Sequence, residues 1–291
     1  PPPTPNTTPQ HSSAASDVYK RQGLGLQSDL IVKNAANIAL QLGTLGGGNH
    51  FIEIQNGDDG YIWIMIHSGS RNIGKQIAEY WNGVANELCN TWGYGNIVDN
   101  GLAFLPEGTE EYTGYLADMQ YGVTFALANR QHMLKTILDC FRRVLDSEFR
   151  MLGTNTINIA HNYATLENHF GSNVMVHRKG ATLARKGTIG IIPGSQGTSS
   201  YIVEGLGNQE SFNSCSHGAG RTMSRAKARK NLSLEDEVSL LNGKGIIHGI
   251  RSEKDSDEAP SAYKPINEVM ENQKDLVKID TKLTPLAVIK G

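Results

Sequence analysis

With 291 residues, 38% of them hydrophobic, the chain can form one large domain or two small ones around a buried core, which excludes wholesale disorder. The formal net charge is −2 and charges of both signs are interspersed, which excludes a grip on nucleic acid by bulk electrostatics; any such contact must be local. Three scattered cysteines, Cys89, Cys140 and Cys215, form neither a disulfide framework nor a CxxC metal pair, and no apolar run approaches the ~20 residues that span a bilayer. Without a basic-then-apolar leader pattern, a cytoplasmic protein with no membrane association is expected.

Residues 1–22 are rich in Pro, Thr and Ser, lack a hydrophobic period and read as a non-native or disordered junction segment, leaving residues 23–291 as the folded domain. From Ser28 to Leu42 the apolar positions Leu30, Ile31, Ala35, Ile38 and Leu42 approximate helical spacing, and Gly43 follows as a stop. Phe51–Gln55 and Tyr61–Ile66 read as strands of a hairpin joined by Asn56-Gly57-Asp58-Asp59-Gly60. Asn72–Trp92 reads as a helix, and Tyr115–Phe149 as a long half-buried one. Short buried strands are expected at Thr156–Ala160, Val174–Val176 and Thr188–Ile192. A helix over Gly220–Asn231, a Lys/Glu/Asp-rich segment to Pro260 and a last helix over Ile266–Leu276 complete the reading. The expected class is α+β, with central mixed or antiparallel sheets flanked by helices.

Nine histidines are present, and His50, His67, His161, His177 and His217 each sit at the end of an expected strand or inside a glycine loop. That placement suits a site, because strand ends fix side chains while loops admit a ligand. A lone histidine is more often a hydrogen-bonded core residue, but five with this bias point to a divalent metal site, for which imidazole suits Zn, Mn, Fe or Ni. Gly46-Gly47-Gly48-Asn49-His50 can converge backbone N–H groups on an anion, and Glu53 falls on the other strand face from His50. Pro193-Gly194-Ser195-Gln196-Gly197-Thr198-Ser199-Ser200 has the composition of a phosphate cradle but is not a Walker A loop. Cys215-Ser216-His217-Gly218-Ala219-Gly220-Arg221 precedes the expected helix, which would carry Arg221 and Arg225 on one face, with His217 in reach of a phosphate at its N-terminus. An imidazole so held can attack phosphorus and form a phosphoramidate. By pattern alone Tyr263 is a packing residue and Lys290 a frayed terminus.

Together these motifs resemble the RtcB RNA-splicing ligases, from about Leu26 to Gly291. Seven ordered matches carry the resemblance: Gly46–Glu53, His67–Arg71, His161–Tyr163, His177–Thr182, Pro193–Ser200, Cys215–Arg225 and Pro285–Gly291. It implies an RtcB-like fold and a GTP- and Mn2+-dependent ligase, with two metal ions in the intact enzyme. Such a ligase joins RNA 3′-phosphate or 2′,3′-cyclic phosphate ends to 5′-hydroxyl ends. His50, His67 and His161 would ligate manganese and His217 would be guanylated. Glu53, Ser200, Tyr263 and Lys290 would surround guanine; Asn49, Asn162, Ser195, Gly218 and Ala219 would face phosphates; Arg221 and Arg225 would meet RNA or triphosphate oxygens. His177 is left to a supporting or RNA-contact role.

The family also has an upstream Asp-x-x-Cys element whose cysteine bridges two metals. Nothing before Gly46 supplies it, so a missing N-terminal portion is expected. Two other functions fit the residues: a metal-dependent phosphoesterase acting on RNA ends, and an inactive module that binds RNA ends or nucleotide. Oligomeric state, a monomer included, is left open.

Overall fold

A computed structural model describes residues 31, 34–99, 101–145 and 156–291. The expected junction at 1–22, the start of the first helix at Ser28 and the end of the long helix at Phe149 lie outside the described residues. Contacts divide the chain into two compact units, residues 1–44 with 69–136, and residues 45–68 with 137–291.

The first unit contains α1 (Ala35–Gln41), α2 (Arg71–Thr91), α3 (Gly95–Asp99) and most of α4 (Glu110–Leu145). In α2, Ile73, Ile77, Trp81, Ala85 and Cys89 recur every four residues and are all buried, which is why the stripe folds as a helix against Tyr121 and Phe125 of α4. The buried Asn129 carboxamide accepts from the backbone N–H of Gly43 at 2.7 Å and Thr44 at 3.2 Å, and donates to the carbonyls of Thr44 and Gly69. One side chain thus satisfies the backbone on both sides of the segment that departs for the second unit. Among the described residues, no helix is long and apolar enough to cross a membrane.

The second unit is mainly antiparallel sheet, as the α+β reading expects. Its strands are β1 (Phe51–Gly57), β2 (Ile62–His67), β3 (Asn162–His169), β4 (Ser172–Lys179), β5 (Ala181–Leu183), β6 (Ile189–Ile192), β7 (Ser200–Gly205), β8 (Ser214–Ser216) and β9 (Val277–Lys290). A five-stranded sheet runs β2-β1-β9-β7-β6, while β3–β4 and β5–β8 form separate pairs. Helices α5 (Arg225–Asn231), α6 (Leu234–Gly243) and α7 (Ile266–Glu271) belong to the same unit, with 3-10 turns at Glu253–Glu258 and Pro260–Ala262.

Four expectations change. Residues 156–160 make no strand; the ladder begins at Asn162, so His161 precedes a strand instead of ending one. His177 lies mid-strand in β4, exposed, with Nδ1 3.1 Å from its own neighbour's Met175 carbonyl, not at a strand end. The helix expected from Gly220 begins only at Arg225, because Gly220 takes φ +72° and Ser224 caps the true start by accepting from Lys227 N–H. Strand β9 replaces the expected fraying end, and the last helix stops at Glu271.

The pairs β3–β4 and β5–β8 meet at one buried polar cluster. Arg178 is 2% exposed and donates to Glu167 through Nη1 at 2.5 Å and Nη2 at 3.1 Å, to Ser214 Oγ through Nε and to the Phe212 carbonyl. His169 Nε2 lies 2.9 Å from the same carboxylate. The Arg178 hydrogen bonds hold the Glu167 carboxyl down to about 2. Fixing Ser214 fixes β8, and β8 leads directly into His217. Glu167→Ala, which strands a buried guanidinium, is expected to cost about 3–5 kcal/mol in denaturant unfolding at pH 7. Because the folded-state carboxyl is depressed, its contribution is present above the ordinary carboxylate range and is lost as pH falls through about 2, so the gap to wild type narrows on acidification.

Candidate active site

The β1–β2 hairpin sets the first part of the site. Its register pairs Phe51 with His67, which puts His50, one residue earlier, beside His67 with ring centroids 5.8 Å apart. From the start of β3, His161 brings Nε2 within 3.3 Å of His67 Nε2. His217, just past β8, lies with its ring centroid 4.9 Å from that of His161. Gly180 makes the turn between β4 and β5 at φ +74°, and a Cβ there would sit 3.5 Å from His217 Cε1, so the turn backs the ring closely. Four of the five singled-out histidines thus form one file, and His177 stands apart.

Burial, reinforced by the charges that His161, His50, His217 and Lys290 would present, lowers the His67 pKa to about 3. The ring is therefore neutral at physiological pH, the form that donates a lone pair to metal. Two nitrogens bound to one tetrahedral ion at ~2.1 Å lie roughly 3.4 Å apart, close to the His67–His161 separation. The donor set fits a borderline divalent cation. Among the described residues, no three His, Cys, Asp or Glu groups converge into a complete shell. His67 and His161 form a poised pair, with His50 beside them as the third of the expected trio.

A cavity of about 260 Å³ opens next to the file. His67 and His217 line it, as do Asn49, Ser195, Gly218 and Ala219, the loop residues expected to face phosphates. Glu53, Tyr263 and Lys290 line it as well. Asn162 is exposed beside His161, opposite Lys179 in the hairpin, and is not part of the wall. Ser200, fully buried, stands behind the wall: its Oγ accepts from Gln55 Nε2 at 3.1 Å and from Gly194 N–H at 3.1 Å.

Gln55 Nε2 also donates to Glu53 at 2.6 Å. Burial pushes the Glu53 carboxyl up to about 8, against the opposing pull of the Gln55 bond and the Lys290 charge. Lys290 pairs with Phe51 across β1–β9 and holds Nζ 5.8 Å from that ring; burial lowers its ammonium below the usual range, against the pull of Glu258 and Asp257.

Arg221 and Arg225 both line the cavity, but not from one helical face. Arg221 forms an extended bridge with Tyr263 and lays its guanidinium 5.0 Å from the ring centroid, while Arg225 opens α5. Glu258 joins both, and sequence reading missed it: it hides at the end of an acidic run that looks like a solvated face. Gln55 was missed for a different reason, since a neutral amide carries no pattern until its partners are known. The only cue to Glu258 is the small-residue segment Ala259-Pro260-Ser261-Ala262 that follows and demands burial.

The family model for tRNA-splicing ligase RtcB matches residues 12–291. This chain belongs to the RtcB family. It is 44% identical over 257 residues to the RNA-splicing ligase RtcB of Escherichia coli K12, covering 86% of this chain and 61% of that protein. It is 35% identical over 289 residues to RNA-splicing ligase RtcB homolog 1 of Entamoeba dispar, covering 86% and 53%. To the tRNA-splicing ligase RtcB of Nanoarchaeum equitans it is 34% identical over 291 residues, covering 86% and 60%. The chain thus spans 53% to 61% of the length of these RtcB relatives.

The raised Glu53 carboxyl has a thermodynamic consequence. The folded state holds a proton that the unfolded chain releases near 4.5, so stability declines as pH rises from there through about 8. Glu53→Gln, which keeps a neutral acceptor for Gln55, is expected to melt above wild type at pH 8.5 and level with it near pH 4.5, in thermal unfolding followed by circular dichroism.

Proposed function

We propose that this RtcB-family chain carries the centre of a GTP- and manganese-dependent RNA ligase. Such an enzyme joins an RNA 3′-phosphate or 2′,3′-cyclic phosphate end to a 5′-hydroxyl end through a guanylated His217. One observation carries the reading. A potential nucleophile, His217, packs against His161, one of a pair of metal-competent imidazoles, and also lines a cavity that Glu53, Tyr263 and Lys290 line as well. The names of the RtcB relatives, all RNA- or tRNA-splicing ligases, support the reaction class.

In this reading His67 and His161, joined by His50, would hold the manganese, and a divalent ion bound there would supply charge neutralisation at phosphate oxygens and Lewis-acid activation of water. The His217 imidazole attacks the α-phosphorus of GTP; an N–P bond forms while the P–O bond to pyrophosphate breaks. An oxygen of the RNA 3′-phosphate then displaces the imidazole, and the 5′-hydroxyl attacks that activated phosphate, expelling GMP and losing its proton. Gly180 restricts His217 from behind, which favours one attacking geometry. Glu53, Tyr263 and Lys290 suit a guanine ring, whose N–H donors and carbonyl can meet a carboxyl and an ammonium; Gln55 and Ser200 steady Glu53 from behind. Asn49, Ser195, Gly218 and Ala219 suit the phosphates, Asn162 suits an oxyanion beside His161, and Arg225 suits RNA or triphosphate oxygens. All three cysteines are free thiols, which fits the cytoplasm.

Incubation of the protein with GTP labelled at the α-phosphate and Mn2+ tests the reading. The expected result is a protein–GMP adduct, labile to acid and stable to alkali, that His217→Ala abolishes. Ends processed by the wild-type protein without any adduct would replace ligation with simple phosphoester hydrolysis.

A further inference from the structure

Glu258, only 3% exposed, ends the 3-10 turn Glu253–Glu258, and its side chain joins three residues of the cavity wall. Oε1 accepts from Arg225 Nε at 2.7 Å; Oε2 faces Arg221 Nη1 at 3.1 Å and accepts from the Tyr263 hydroxyl. Its backbone carbonyl accepts from Gln196 Nε2 at 2.8 Å, tying the turn to the Ser195–Gly197 loop. Burial and the Glu258 hydrogen bond raise the Tyr263 phenol well above its ordinary range, so its hydroxyl stays protonated and keeps donating.

The two arginines on this carboxylate are not equivalent. Arg221 has every nitrogen engaged: Nε on the Met223 carbonyl at 2.9 Å, Nη2 on the Asp257 carbonyl at 2.5 Å, and Nη1 on Glu258 and the Tyr263 oxygen. It acts as a strut, laid over the Tyr263 ring. Among the described residues Arg225 makes one hydrogen bond, from Nε to Glu258, and its side chain is 47% exposed. Its other end reaches the glycine loop, where a Cβ on Gly48 would lie 3.3 Å from Nη2 and 3.8 Å from Nη1. Beside that contact stands Asn49, at the edge of the cavity.

We propose that Glu258 is a positioning residue: by gripping Arg225 at Nε it aims Nη1 and Nη2 into a phosphate subsite shared with the Gly48–Asn49 loop, while it locks Arg221 and Tyr263 as the frame. A guanidinium held at Nε and open at both terminal nitrogens is preorganised for bidentate contact with phosphate oxygens. The ligand is a phosphate group, carried either by a nucleoside triphosphate or by an RNA end. Only this naming of sources rests on the ligase reading; the subsite itself would stand if His217 took no guanylate.

The sign of one substitution separates positioning from simple charge. Glu258→Gln removes a negative charge near the subsite, so Coulomb's law alone predicts tighter anion binding. Positioning predicts the reverse, because the amide has one acceptor oxygen where the carboxylate has two: its NH2 meets either the Tyr263 and Arg221 donors, which disrupts the frame, or Arg225 Nε, which releases the anchor. Calorimetric titration of the whole chain with tripolyphosphate, and separately with a short RNA bearing a 3′-phosphate, reads the outcome. The expected result is binding weakened about fivefold or more in at least one arm, and that arm identifies the source of the phosphate. Adding Arg225→Lys to Glu258→Gln is expected to cost little beyond either change alone, since both remove one device. Glu258→Asp keeps the charge and withdraws the carboxylate by one methylene; it should also weaken binding, and it decides the matter if the Gln variant does not fold. Unchanged or tighter binding in both arms, or wild-type protein that binds neither probe, overturns the inference. A missing GMP adduct with this sign retained would count against guanylation and leave the subsite intact.

Discussion

The last strand of the chain lies in the middle of the sheet, and the cavity is organised by that insertion. Strand β9 pairs with β1 on one side and β7 on the other, so Leu283 stands opposite both Gly57 and Ser200. With that register set, Gln55 of β1 reaches Ser200 of β7 past the intervening strand, and Lys290 arrives opposite Phe51, next to His50. Pro285 cannot donate to a ladder, and the β1–β9 register shifts where Pro285 faces Gln55, as a proline inside a sheet requires. His50 and Glu53 lie far from Lys290 in sequence, and the β1–β9 ladder brings them together.

Around that frame, burial acts in opposite directions on the two kinds of titratable group, to the same end. It raises Glu53 to about 8 and lowers His67 to about 3, so each favours its neutral form in the resting protein. Charge in the cavity wall is compensated where the buried Glu258 meets Arg221 and Arg225. An anion entering such a site would meet guanidiniums already held by Glu258, and a metal would meet a His67 imidazole that need lose no proton. Both features reduce the reorganisation that binding requires.

The sequence showed this architecture where local pattern and tertiary role coincide. The β1–β2 hairpin was legible because a glycine-rich turn separates two apolar runs, and α2 because its apolar residues recur every four positions. Strand β9 was not: Pro285 argues against a central strand, and the alternation of buried Thr281, Leu283 and Pro285 with exposed Lys282, Thr284 and Leu286 hides among polar residues. The stretch at 156–160 has strand-like residues, yet the described structure makes no strand of it, and composition alone does not distinguish the two outcomes. His50, His67, His161 and His217 were readable from their glycine and strand-end contexts, while Tyr263 and Lys290 were reachable only through family resemblance. Glu258 acts on arginines more than thirty positions away, and its meaning exists only in three dimensions.

Hydrogen exchange along β9 tests the central claim most directly. If the final strand is an interior strand that assembles the cavity, the amides of Val288 and Ile289 should exchange as slowly as those of Ile52 and Ile54 in β1, and all four should open together as denaturant is added. Exchange of Val288 and Ile289 at the rate of a free chain end, with β1 still protected, would contradict the account and return Lys290 to a frayed terminus.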